Sequence, residues 1–123
     1  MLQIAPDKIA HIIIRARELE SGVDPWANRG SRAQHGVRSE LHDFIESLNE
    51  DEQASLVAVM WIGRESFEPE ELEEAIETAR IERTTPTEDY LMGEPRLADF
   101  LEAGLEALGI SPGDAEDDVT RPV

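Results

Sequence analysis

The chain has 123 residues, of which 40% are hydrophobic and 5% aromatic, enough for one domain with a mainly aliphatic core. Eleven basic residues stand against 28 acidic ones, and the net charge of −17 argues against direct nucleic-acid binding, which needs clustered cations. The absence of cysteine excludes a disulfide framework, thiolate metal sites and a cysteine nucleophile.

The first helix is predicted to start near Asp7, as an N-cap, and to end at Ser21-Gly22. Ile9, Ile12, Ile13 and Ala16 recur at i, i+3, i+4 and i+7. Asp7, Lys8 and His11 interrupt the apolar run a signal peptide would need. The longest apolar run, Leu56–Ile62, has seven residues, whereas a membrane span needs about 20. The expectation is a soluble cytoplasmic protein with no membrane contact.

Residues 21–38 read as a flexible loop, rich in glycine and without a period. Arg29, Arg32 and Arg38 make it basic in a very acidic chain, and it carries Trp26. Tryptophan and arginine are both enriched at interface hot spots. Trp26 therefore either tucks onto its own domain or anchors a partner beside Arg29 and Arg32.

A second helix is expected over 39–48, striped by Leu41, Phe44, Ile45 and Leu48. Asn49 and Glu52 have capping-box spacing ahead of a third helix over 50–62. Its second half is apolar nearly all round, so it should lie at the centre of the fold. Gly63 reads as its C-cap. Pro69 should open a fourth helix, with Leu72, Ala75, Ile76 and Ala79 facing inward. Glutamates load its start and Arg80 and Arg83 its end, as the helix dipole favours.

Thr87 should cap a short turn that Gly93 closes with an unusual φ. Pro95 should open the last helix, where Leu97, Phe100, Leu101, Gly104, Leu105 and Leu108 share one face. A glycine on that face costs about 1 kcal/mol relative to alanine, which implies a close helix crossing at Gly104. Gly109 ends the helix. Residues 111–123 read as a disordered acidic tail, leaving one helical domain over 1–110.

Three stretches, IIIRARE (12–18), LNEDEQASLVAVMWIGR (48–64) and DYLMGEPRLADFLEAGLEALG (89–109), resemble a bacterial family of small acidic helical proteins, a domain of unknown function. The resemblance implies an all-α fold and brings no activity, cofactor or catalytic residue with it.

The chemistry-bearing residues each have a bland counterpart. His42, Asp43 and Glu46 on one helix have a spacing that can bind a divalent ion, with His35 a further ligand if the helix begins early, but they lack a metalloprotease-type signature and read as a solvated face. The glutamate run from Glu65 to Glu77 lacks the ligand spacing of a calcium loop. Met60 and Trp61 could line a ligand pocket, but on an apolar helix they read as core. Arg64, at the end of the buried helix, can hold an anion or cap carbonyls. Asp89, Tyr90 and Arg96 cluster around the Gly93-Glu94-Pro95 turn. No nucleophile elbow, phosphate loop or nucleotide fingerprint is present, so no catalytic residue, metal or cofactor is assigned.

The leading expectation is a non-enzymatic protein-interaction or regulatory module. Its partner would be a protein with a basic surface, or a second copy of the chain, met through the acidic second half (net −14 over 65–123) or the Trp26/arginine loop. One alternative is a small-ligand protein or enzyme with a pocket near Arg64, Tyr90 and Arg96. The other is an acidic mimic of nucleic acid.

Overall fold

The computed structural model describes residues 2–21, 30–83 and 85–110. The order is α1 (Pro6–Ser21), α2 (Gly30–Ser47), α3 (Glu50–Gly63), a 3-10 turn (Pro69–Glu71), α4 (Leu72–Ile81), α5 (Thr87–Met92) and α6 (Leu97–Ala107). The fold is all-α, with no strand among the described residues. No described helix is long and apolar enough to cross a membrane. The tail at 111–123 lies outside the described residues.

Pro6, not Asp7, begins α1, and Asp7 sits in its first turn. Proline suits that position because its missing N–H would have no partner there. Ile9, Ile12, Ile13 and Ala16 are buried as their spacing predicts.

The second helix corrects the predicted loop. It starts at Gly30, nine residues before the expected Ser39. Val37 extends the Leu41/Ile45 stripe back by one turn, and Ala33, Gln34 and Arg38 are good helix formers. A Cβ at Gly36 would meet nothing within 4 Å, so this glycine costs only its propensity. The chain exploits the amphipathic run despite its two glycines.

α3 opens with the predicted capping box. The Glu52 backbone N–H donates to Asn49 Oδ1 at 2.8 Å, and the Asn49 N–H to Glu52 Oε1 at 3.1 Å. Residues Gln53 to Met60 and Ile62 are all buried. α6 and α4 flank this helix. α1 packs mainly on α6 and α2, so the centre of the fold is the α3–α6 pair rather than α3 alone.

That pair crosses closely, as Gly104 predicts. A Cβ on Gly104 would lie 2.1 Å from the Val59 carbonyl oxygen, and one on Gly63 1.7 Å from that of Phe100. These two contacts make the helices antiparallel. Gly63 is thus a packing residue, and the cap passes to Arg64 and Glu65. Glu65 takes a left-handed φ of 68°. The Glu65 N–H donates to Ile62 O and the Ser66 N–H to Trp61 O, completing a Schellman turn. α6 ends on the same turn with Gly109 at φ 80°.

Three further expectations change. Pro86 precedes α5 with extended ψ, so Thr87 lies inside the helix, buried, and caps nothing. Gly93 has an ordinary φ of −80°. α6 starts at Leu97, two residues after Pro95.

Candidate binding groove

α4 lies antiparallel to α3, and two ion pairs join their ends. Arg80 pairs with Asp51, and Arg83 approaches Glu50 at 3.7 Å. The inward face of α4 is made of small residues, Ala75 and Ala79, on either side of Ile76. Ala79 is too short to fill the space beside Val57 and Ala54 on α3. Helices with Cβ-sized contacts on one side and α5 on the other leave a groove.

The groove has two adjoining hollows. One, of about 220 Å³, is lined by Val57, Trp61, Ala79, Arg83, Thr87 and Tyr90, with Glu82 and Thr85 at its rim. The other, of about 260 Å³, shares Val57, Ala79, Arg83 and Thr87 and runs on past Gln53 and Ala54 to Glu50 and Arg80. The floor is aliphatic, one end aromatic and the rim charged.

The aromatic end is rigidly set. Trp61 Nε1 donates to the Tyr90 hydroxyl oxygen at 3.0 Å, tying α3 to α5. Phe67 stacks on the far face of the Trp61 indole, with centroids 5.6 Å apart and planes 20° apart. A phenol oxygen that already accepts from an indole keeps its own proton free to donate, to water or to a group in the groove. Arg83, 40% exposed, offers only donors.

α5 is placed by α2. His42 Nε2 lies 3.1 Å from Asp89 Oδ1, and its Nδ1 lies 3.5 Å from Asp43 and 3.7 Å from Glu46. The Asp89 hydrogen bond raises the His42 pKa most, with help from Asp43 and Glu46 and against partial desolvation. His42, Asp43 and Glu46 can each bring one donor atom within 4.8 Å of the others, room for a divalent ion. The same groups already form a charge clasp that pins α5 to α2, and this is the role assigned to them. At the opposite end, Lys8 Nζ contacts Glu52 Oε2 at 2.5 Å and, with the Asn49 N–H, holds that carboxyl below its usual range.

The sequence-predicted residues scatter. Of the predicted site residues whose side chains are described, Tyr90 alone lines the groove. Arg64 Nε donates to Ser66 Oγ at 3.2 Å. Arg96 lies 5.4 Å over the Phe100 ring and 3.7 Å from Asp99, 68% exposed. None of the hollows described above is lined by Arg64 or Arg96. Trp26 and Arg29 lie outside the described residues. Arg32 falls within α2, its side chain outside the described ones. His35 also falls within α2, and its side chain is likewise outside them. His11 packs on Phe44 with ring centroids 4.7 Å apart.

Sequence reasoning missed Arg83 and Thr87 as lining residues. The local sequence shows only that the inward face of α4 is small, with Ala75 and Ala79 beside Ile76; that Ala79 leaves a gap opposite Val57 is decided by packing.

The molecule is thus a compact all-α domain with a half-open groove and no assembled catalytic set among its described residues. It belongs to a family described as protein of unknown function (DUF3775), which matches residues 38–110. The match takes in two of the three resembling stretches and leaves out 12–18. It covers every groove residue and excludes Trp26, Arg29 and Arg32. No curated protein and no solved structure matches the chain.

Proposed function

We propose that the protein is a non-enzymatic interaction module, and that the groove between α3, α4 and α5 receives a short segment of a partner protein. One observation carries this reading. The segment shared with the family contains a preorganised groove with an apolar floor, a fixed Trp61–Tyr90 pair and a charged rim. A few convergent polar groups above an apolar floor are the general form of a binding site. Trp26, Arg29 and Arg32 lie outside the family segment, which shifts the proposed contact face from them to the groove. The strongly acidic second half suits a partner that is basic around the docked segment.

The test is capture from a lysate of the source cells, with the wild-type chain and a Thr85→Trp variant. Thr85 is exposed at the groove rim, so the larger ring obstructs the groove without disturbing the core. A partner held by the wild type and lost from the variant, at unchanged melting temperature, supports the reading. Equal retention by both chains places the contact elsewhere.

A further inference from the structure

Resting on that groove as the contact face, its donors narrow the occupant further. Tyr90 accepts from Trp61 and so presents a proton. Arg83 presents guanidinium N–H groups to the same hollow, and its partner Glu50 is 3.7 Å away and 87% exposed. Two donor groups above an apolar floor, beside the Glu82 carboxylate that also lines the hollow, complement an oxyanion that meets the donors and is attached to an apolar group. A guanidinium and a hydroxyl are well matched to a carboxylate.

The size and openness of the site choose between carboxylates. The hollow of about 220 Å³ is one end of the groove and is not closed off from the adjoining one of about 260 Å³. It continues into the second hollow, past Ala54 to Glu50. A small ligand needs enclosure. A chain end needs one side-chain-sized pocket and a way out for the residues behind it. Glu50 stands along that exit, where a basic residue of the entering chain would meet it.

We propose that the groove captures the C-terminus of a partner chain. Arg83 and the Tyr90 hydroxyl hold its free carboxylate, its apolar last side chain sits over Val57 and Ala79, and basic residues behind it pass Glu50.

The test uses the full chain, immobilised, and acetylated pentapeptides randomised over their last three positions. The library is made once as free acids and once as C-terminal amides. Acids are expected to be retained at least 10-fold over amides, with apolar last residues and Lys or Arg enriched before them. Bound acids should shift the Trp61 indole N–H resonance. Arg83→Gln should abolish the preference for acids, and Tyr90→Phe should weaken it while leaving the melting temperature within a few degrees.

Equal retention of acids and amides, both lost in Thr85→Trp, overturns carboxylate capture and leaves the groove as contact face. Retention unaffected by Thr85→Trp overturns both. Hexanoate that competes as well as the peptide acids overturns the chain-end assignment in favour of a small carboxylate. No retention of either library overturns the capture of chain ends, while the lysate test still decides the contact face.

Discussion

α3 has two long flanks, finished in opposite ways. Toward α6 the backbones meet at Gly63 and Gly104, with no room for a methyl group on either. Toward α4 and α5 the small residue is Ala79, and there the space stays open as a groove. Small residues therefore do two jobs around one helix. Where both partners are glycine and the helices approach, small size closes the interface. Where α4 is held off by Ile76 and by ion pairs at its end, small size leaves a hollow. The first flank supplies rigidity, and the second supplies a surface for recognition.

The largest expected effect tests the closed flank. Gly63→Ala would place a methyl 1.7 Å from the Phe100 carbonyl oxygen, and Gly104→Ala one 2.1 Å from that of Val59. Backbone atoms cannot turn aside as a side chain can. Alanine recovers about 1 kcal/mol of helix propensity. The forced separation of α3 and α6 outweighs it, and each variant should lose about 3 kcal/mol in urea unfolding. A loss below about 0.5 kcal/mol at both sites would mean the flanks do not differ.

A smaller effect marks the open flank. Trp61→Phe and Tyr90→Phe each remove the same hydrogen bond, at a cost of about 1 kcal/mol. The double variant should cost little more than either single one, since the shared bond can be lost only once. Full additivity would show that the indole and phenol act independently. Arg83→Gln on the same flank should change stability by less than about 0.5 kcal/mol, because its ion pair with Glu50 is long and exposed.

How much of this was legible in the sequence follows the same division. The closed flank was readable at Gly104, because a mid-helix glycine on an apolar face is costly unless something needs the space. The Asn49/Glu52 box and the Gly109 end were readable because each rests on residues adjacent in the chain. The groove was not. Its walls come from positions 50–61, 79–83 and 85–90, and no local pattern says that Ala79 will face Val57 with nothing between. Arg83 satisfied a helix-dipole rule and was thereby explained away. Arg64, Tyr90 and Arg96 shared a chemistry on paper, but only their packing decides which of them meet, and Phe100 and Asp99 take Arg96 elsewhere. Trp61 was read as core because its helix is apolar nearly all round; its indole edge nonetheless reaches Tyr90.

The junction where α3 leaves both flanks gives a gain rather than a loss. Gly63 is used for packing, so the left-handed residue of the turn is Glu65, at φ 68°. Outside glycine, that conformation costs roughly 1–2 kcal/mol per residue. Glycine also gains freedom in the unfolded chain, by about 0.4–1 kcal/mol. Glu65→Gly should therefore stabilise the protein by about 0.5 kcal/mol, seen as a small rise in melting temperature. A fall would show that the Glu65 side chain holds the turn. The equivalent exchange at α6, Gly109→Ala, should go the other way, since its φ of 80° lies in the same left-handed region.

The smallest expected effect separates the flanks by pH. α5 forms one wall of the groove, and the His42–Asp89 contact ties it to α2. Asp89, then Asp43 and Glu46, raise the His42 pKa above its ordinary 6.5. A raised pKa means that the folded chain binds the proton more tightly than the unfolded one. The clasp therefore contributes fully below the unfolded pKa and is lost as pH rises through the higher folded value. Hydrogen-exchange protection of α5 amides, corrected for intrinsic rates, should fall between mildly acidic and mildly alkaline pH. His42→Gln should remove that dependence. The α3–α6 flank has no titrating contact at its glycines, so its protection should stay level over the same range. Equal pH dependence on both flanks would place the titrating clasp somewhere other than α5, and the groove wall would then owe its position to Trp61 and Tyr90 alone.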